Sequence, residues 1–106
     1  MRAPHFASLL ALAALGLAAL ALAQTNATGE RPECVTATGS ARWAAAGYNH
    51  LVTVVNGCDY AVHCTVSTDV NPAPVTVDLD PGATRSVTTF LDAPGSGFVP
   101  NVACAR

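Results

Sequence analysis

The stretch His50–Asp69, HLVTVVNGCDYAVHCTVSTD, decides the fold. It holds two runs rich in β-branched residues, Leu51–Asn56 and Ala61–Thr68, on either side of Asn56-Gly57. Branched side chains suit a pleated surface, and Asn-Gly is a turn dipeptide in which both residues tolerate positive φ. The stretch therefore reads as a β-hairpin. In its second run Val62, Cys64 and Val66 alternate with His63, Thr65 and Ser67. A period of two puts Cys64 on the apolar face and His63 on the opposite one.

Working outward, Asp69–Pro74 (DVNPAP) is a connection, because its prolines remove ladder donors. Val75–Asp80 alternates without a fault and predicts a half-buried strand. Pro81-Gly82 predicts a type II turn, with Pro setting φ and Gly taking the positive φ. Thr84–Leu91 is the returning strand, where Val87 and Phe90 share a face only if a bulge intervenes. Asp92–Gly97 (DAPGSG) is a loop, and Phe98–Cys104 is a last strand with Phe98, Val102 and Cys104 in phase. On the other side, Cys34–Gly47 combines an extended-looking Val35–Thr38 with alanines that suit a helical turn. The expectation is a short strand carrying Trp43 into the core. Gln24–Glu33 is polar, aperiodic and reads as a flexible lead-in. The pattern is that of an all-β protein, a small antiparallel β-sandwich of five or six short strands spanning residues 34–106.

The first 23 residues read differently. One Arg in Met1–His5, an Ala/Leu run over Phe6–Leu20 and the small-x-small exit Ala21-Leu22-Ala23 form the pattern of a helical secretory signal peptide, with cleavage expected before Gln24. The apolar run, about 18 residues, approaches the roughly 20 that span a bilayer, but it ends in a cleavage motif and a polar stretch. The expected location is periplasmic or extracellular, with membrane contact only through the uncleaved signal. The formal net charge is −2, all five basic residues are Arg, and Arg2 would leave with the signal. A chain this acidic lacks the basic footprint of a nucleic-acid partner. Arg without Lys, together with abundant Ala, suits a GC-rich bacterial genome.

Cys34, Cys58, Cys64 and Cys104 are the strongest chemical signal. An even number of cysteines in a short exported chain reads as a disulfide framework. A domain of roughly 80 residues needs such staples because it buries little surface. Three pairings are open. The expected one joins Cys34 to Cys58 and Cys64 to Cys104, tying the N-terminal segment to the turn and one hairpin strand to the last strand.

Other chemistry is weighed against packing. His50, Cys58, His63 and Cys64 include zinc-ligand types, but their spacing is unlike paired ligand turns, and thiols in an oxidising compartment pair with one another. Blue copper lacks its axial Met, since Met1 is the only one. Asp69, Asn71, Asp78 and Asp80 offer calcium-type oxygens, although Asp78 and Asp80 also fit the wet face of a strand. Gly95-Ser96-Gly97 is no nucleophile elbow and no histidine follows it. No catalytic residues, metal site or cofactor are assigned. Tyr48, His50 and Tyr60 flank the first hairpin strand and are the candidate binding patch, Tyr being enriched on binding faces.

Gly47-Tyr48-Asn49-His50, Asn56-x-Cys58, Cys64–Pro72, Pro81-Gly82, Phe98-Val99-Pro100 and Val102-Ala103-Cys104 together resemble a group of small exported four-cysteine bacterial proteins of unknown function. That resemblance covers nearly all of residues 24–106 and implies export and disulfides. A partial likeness, under a third of the chain, is to the opening hairpin of thaumatin-like proteins. It rests on Asn56-x-Cys58-x-Tyr60-x-Val62 and Leu79-x-Pro81-Gly82; the further cysteines and acidic cleft of that family are absent. The functional expectation is a non-enzymatic binding or envelope-associated structural module with a protein or envelope partner. The alternatives are a secreted protease inhibitor presenting a Pro-rich loop, and a small metal protein using His50 and His63.

Overall fold

The computed structural model describes residues 24–106, so the expected signal peptide lies outside the described residues. Seven strands form: β1 (Thr25–Asn26), β2 (Val35–Ala44), β3 (Gly47–Asn56), β4 (Val62–Thr68), β5 (Val75–Leu79), β6 (Thr84–Ala93) and β7 (Pro100–Ala105). They pair antiparallel in two sheets, ordered β1-β2-β3-β6 and β5-β4-β7. The all-β sandwich is therefore present.

Its alternation follows the side chains. On β4, Val62, Cys64 and Val66 are buried while His63 and Thr65 are exposed; on β5, Val77 and Leu79 are buried while Thr76 and Asp78 are exposed. Val52 and Val54 of β3, Val35 and Ala37 of β2, and Val102 of β7 meet them in one core. Burying each Val or Leu stabilises the fold by about 1.5–3 kcal/mol relative to exposure.

The organising stretch is extended as expected but is not a hairpin. β3 and β4 lie in different sheets, so Asn56–Ala61 is a crossover between layers. Gly57 does not adopt positive φ. Asn56 acts instead through its side chain: wholly buried, its Nδ2 donates to the carbonyls of Tyr60, Leu79 and Asp80 at 2.9–3.1 Å, and its Oδ1 accepts the Cys58 N–H at 3.0 Å. Its backbone also bonds Ala83 and Gly82. One residue thus holds both the β3–β4 and β5–β6 crossovers. The latter uses the expected turn at Pro81-Gly82, with Gly82 at φ 79° and the Ala83 N–H donating to Asp80 O, but it delivers β6 to the other sheet. Read around the sandwich, β7, β4, β5 and β6 follow in Greek-key order.

Three further expectations are corrected. Gln24–Glu33 is not a flexible lead-in. It pairs with β2 through Thr25 and Asn26, then crosses to β7 through a parallel bridge, Thr28 to Asn101. The Arg31 guanidinium pins this segment, donating to the carbonyls of Ala27, Thr28, Gly29 and Val102. The seventh strand comes from here. Secondly, the strand expected within Cys34–Gly47 is present but not short, since β2 runs ten residues and hairpins directly into β3. Thirdly, Trp43 is 64 % exposed, because the β2–β3 hairpin overshoots the other sheet and leaves its tip uncovered. The bulge anticipated between Val87 and Phe90 is present: the β3–β6 register shifts on both sides of His50, and Asp92 takes φ 55°.

Candidate functional site

Both expected bridges form, Cys34–Cys58 and Cys64–Cys104, and no described cysteine is free. The first joins the start of β2 to the crossover after β3. The second joins directly opposed residues on β4 and β7. The four sulfurs are consumed as structure, and none remains as a thiolate ligand.

The patch expected from Tyr48, His50 and Tyr60 does not assemble. His50 is only 1 % exposed. Its ring stacks on Phe98 at 4.2 Å and 11°, and meets Phe90 at 5.9 Å. Its Nε2–H donates to Gly95 O at 2.8 Å, which fixes the loop after β6, and Nδ1 is buried with no partner. Tyr48 lies two residues nearer the hairpin tip, edge-on to Trp43 at 5.0 Å. Tyr60 sits at the opposite end, beneath the Arg106 guanidinium at 4.0 Å and with its hydroxyl 3.8 Å from Cys34 Sγ. Sequence adjacency along β3 suggested a shared surface; the length of the strand separates its two ends, and the inward face takes His50.

The two histidines cannot share a metal ion. His50 points into the core from one sheet, while His63 stands on the outer face of the other. Among the described residues no group of three His, Cys, Asp or Glu side chains could hold an ion. His63 Nδ1 instead meets Asp78 Oδ1 at 2.8 Å across β4 and β5. This resembles the orienting half of a catalytic triad. However, the β7 residue opposite His63 is Ala105, which supplies no nucleophile. Both partners are well exposed, so the pair adds little to stability. Asp80 is exposed near the β5–β6 turn, and Asp69 is spent accepting the Val99 N–H at 2.7 Å. The calcium-type oxygens are thus dispersed.

An open concavity of about 510 Å³ lies where the edge of β6 meets the β4–β5 connection, lined by Asn71, Thr88, Thr89, Phe90 and Leu91. Asn71 forms its floor. The Asn71 Nδ2 donates to Thr89 O at 2.6 Å, its Oδ1 accepts the Ala73 N–H, and its backbone exchanges hydrogen bonds with Thr68. The Thr89 hydroxyl turns inward to His50 O. The lining contains no titratable side chain, so this surface can receive an apolar or hydrogen-bonding segment but cannot perform acid–base chemistry. Its sequence trace was the phase conflict at Val87 and Phe90, where β6 departs from regular alternation. Asn71 gave no local signal, because its role depends on a strand 18 residues away.

The chain matches no family model, no curated protein and no solved structure, so its fold and chemistry stand on these residues alone.

Proposed function

We propose that the chain is an exported, disulfide-stabilised, non-enzymatic module of a bacterial envelope or its surroundings, akin to the small exported four-cysteine proteins that it resembles. The observation that carries this reading is the combination of two bridges with a surface concavity free of acid–base groups. Paired cysteines suit an oxidising compartment, and the leader pattern over Met1–Ala23 supplies the route to one. The test is the intact mass of the exported protein before and after reduction. The reading expects a chain starting at Gln24, without a bound ion, that gains four hydrogens on reduction. Free thiols or a retained metal would overturn it.

The second reading, a protease inhibitor, draws on Asp69–Pro74. This exposed proline-bearing connection is tied down through Asn71 to β6 and through Asp69 to Val99. Such anchoring reduces the ordering cost on binding. Titration against a panel of proteases tests it, and absence of inhibition at micromolar excess would refute it.

A further inference from the structure

The two ends of the sandwich differ in surface chemistry. One end carries the β2–β3 turn, the β4–β5 connection and the β6–β7 loop. The other carries both crossovers and the Cys34–Cys58 bridge. Every exposed large hydrophobic among the described residues, Trp43, Val70, Val75, Leu91 and Val99, belongs to the first end. Five acids, Glu30, Glu33, Asp59, Asp78 and Asp80, belong to the second, whereas the first has Asp69, Asp92 and Arg42. Single exposed hydrophobics need no explanation, but their segregation away from most of the charge does.

The described chain also begins beside this end. Thr25 opposes Gly39 and Asn26 opposes Thr38, so β1 runs away from the apolar end and the described chain begins on that side. In sequence it is preceded by the apolar stretch Phe6–Ala23. A leader ending at Ala23 is separated from Thr25 by at most about 7 Å of extended chain. While such a leader is attached, this end is the one nearest to it. Trp43, four residues beyond Gly39 on β2, lies about 14 Å further along the strand direction. Trp and Tyr are the side chains that favour the headgroup boundary, having an apolar body and a polar handle.

We infer that the end bearing Trp43, Leu91, Val70 and Val99 is a membrane-docking surface that seats the domain on the lipid interface from which it is exported. This deepens the envelope reading by naming the surface and its partner, a phospholipid bilayer. Attraction is hydrophobic: with two acids and one base at this end, anionic headgroups gain no electrostatic advantage.

Trp43 is the only tryptophan in the chain, so its emission reports docking directly. The exported, oxidised protein is titrated with vesicles of phosphatidylcholine, and separately of phosphatidylethanolamine with phosphatidylglycerol. The expected result is a blue shift in both, quenched by acyl-chain bromine and unchanged in about 0.5 M salt. Leu91→Ser weakens partitioning about tenfold, since one apolar side chain fewer is buried. Thr65→Ala on the outer face of the β5-β4-β7 sheet leaves partitioning unchanged. Unshifted emission with protein left in the supernatant overturns the inference. So does a blue shift that grows with protein concentration without lipid, which would mean a second copy covers the end. Lipid binding insensitive to Leu91→Ser also overturns it, because a retained leader would bind regardless. The mass measurement is independent of all these outcomes, so failure here is distinguishable from failure of the export reading.

Discussion

Replacing Asn56 by Asp tests whether hydrogen-bond polarity, rather than shape, holds the two crossovers. The two side chains have nearly the same volume. In the native fold Nδ2 faces three carbonyl oxygens at 2.9–3.1 Å. An Asp would set a carboxylate oxygen there, losing every donation and burying a charge among acceptors. The bonds at Leu79 O and Cys58 N are fully buried. Stranding a buried polar group costs about 1–3 kcal/mol, so Asn56→Ala, which orphans both groups, should lose about 4 kcal/mol. Asn56→Asp retains the bond from Cys58 but opposes three carbonyls, and should lose at least as much. Guanidinium chloride unfolding of the oxidised protein, with m about 2 kcal/mol/M, would show the midpoint falling by about 2 M. Burial among acceptors raises the pKa of the introduced carboxyl above its ordinary value. As the pH falls toward about 4 it protonates and can donate one bond, so the Asp deficit should shrink while the Ala deficit stays constant. An Asp variant within about 1 kcal/mol of the parent at neutral pH would refute the reasoning.

Four other variants address separate parts of the structure. The bridges close segments of 24 and 40 residues that do not overlap. Removing Cys34–Cys58 should therefore cost about 3.4 kcal/mol and removing Cys64–Cys104 about 3.9 kcal/mol by the chain-entropy model, additively in denaturant titrations of Ala pairs. His50→Leu trades the bond to Gly95 against the unpartnered Nδ1. Global stability should change by less than about 1 kcal/mol, while amide exchange across Gly95–Gly97 accelerates. Gly29 has φ 106°, and an added Cβ would collide with Val102 O. Gly29→Ala should cost about 2 kcal/mol or more and raise exchange at Thr28 and Val102, as the segment lifts from β7.

Much of this fold is legible locally and little of its pairing is. Alternation in Val62–Ser67 and Val75–Asp80 identifies which side chains face inward, because a period of two is a property of the strand itself. The sequence leaves three half-cystine pairings open, and the expected one forms because β7 lies beside β4 with Cys104 opposite Cys64. Strand neighbours are another matter. Asn56-Gly57 carries a turn signal, yet an Asn can use its amide in place of its φ, and nothing nearby distinguishes the two uses. Two of the three carbonyls that engage it belong to Leu79 and Asp80, which only the β5–β6 crossover brings close. Trp43 and His50 were misplaced for a related reason. Hydrophobicity suggests burial for the first and polarity suggests exposure for the second, but where the opposite sheet ends decides both. The concavity beside Asn71 shares that origin, being a product of the β4–β5 connection meeting the edge of β6.

Asn56-Gly57 also governs how the protein ages. In an Asn-Gly pair the glycine nitrogen can attack the Asn Cγ, expelling ammonia and closing a succinimide that hydrolyses to Asp or isoaspartate. Here the Gly57 N–H is engaged by Cys34 O at 2.8 Å, and the Asn56 amide is held by the three carbonyls. Attack requires the nitrogen to leave its partner and the side chain to turn, so the native fold suppresses the reaction. Once the chain unfolds, that protection disappears. One such event writes an acidic residue into the position least able to carry it, and refolding is then opposed. Exposure time in the unfolded state is thereby recorded covalently, and molecules that linger there before their bridges close are progressively removed from the pool that can still fold.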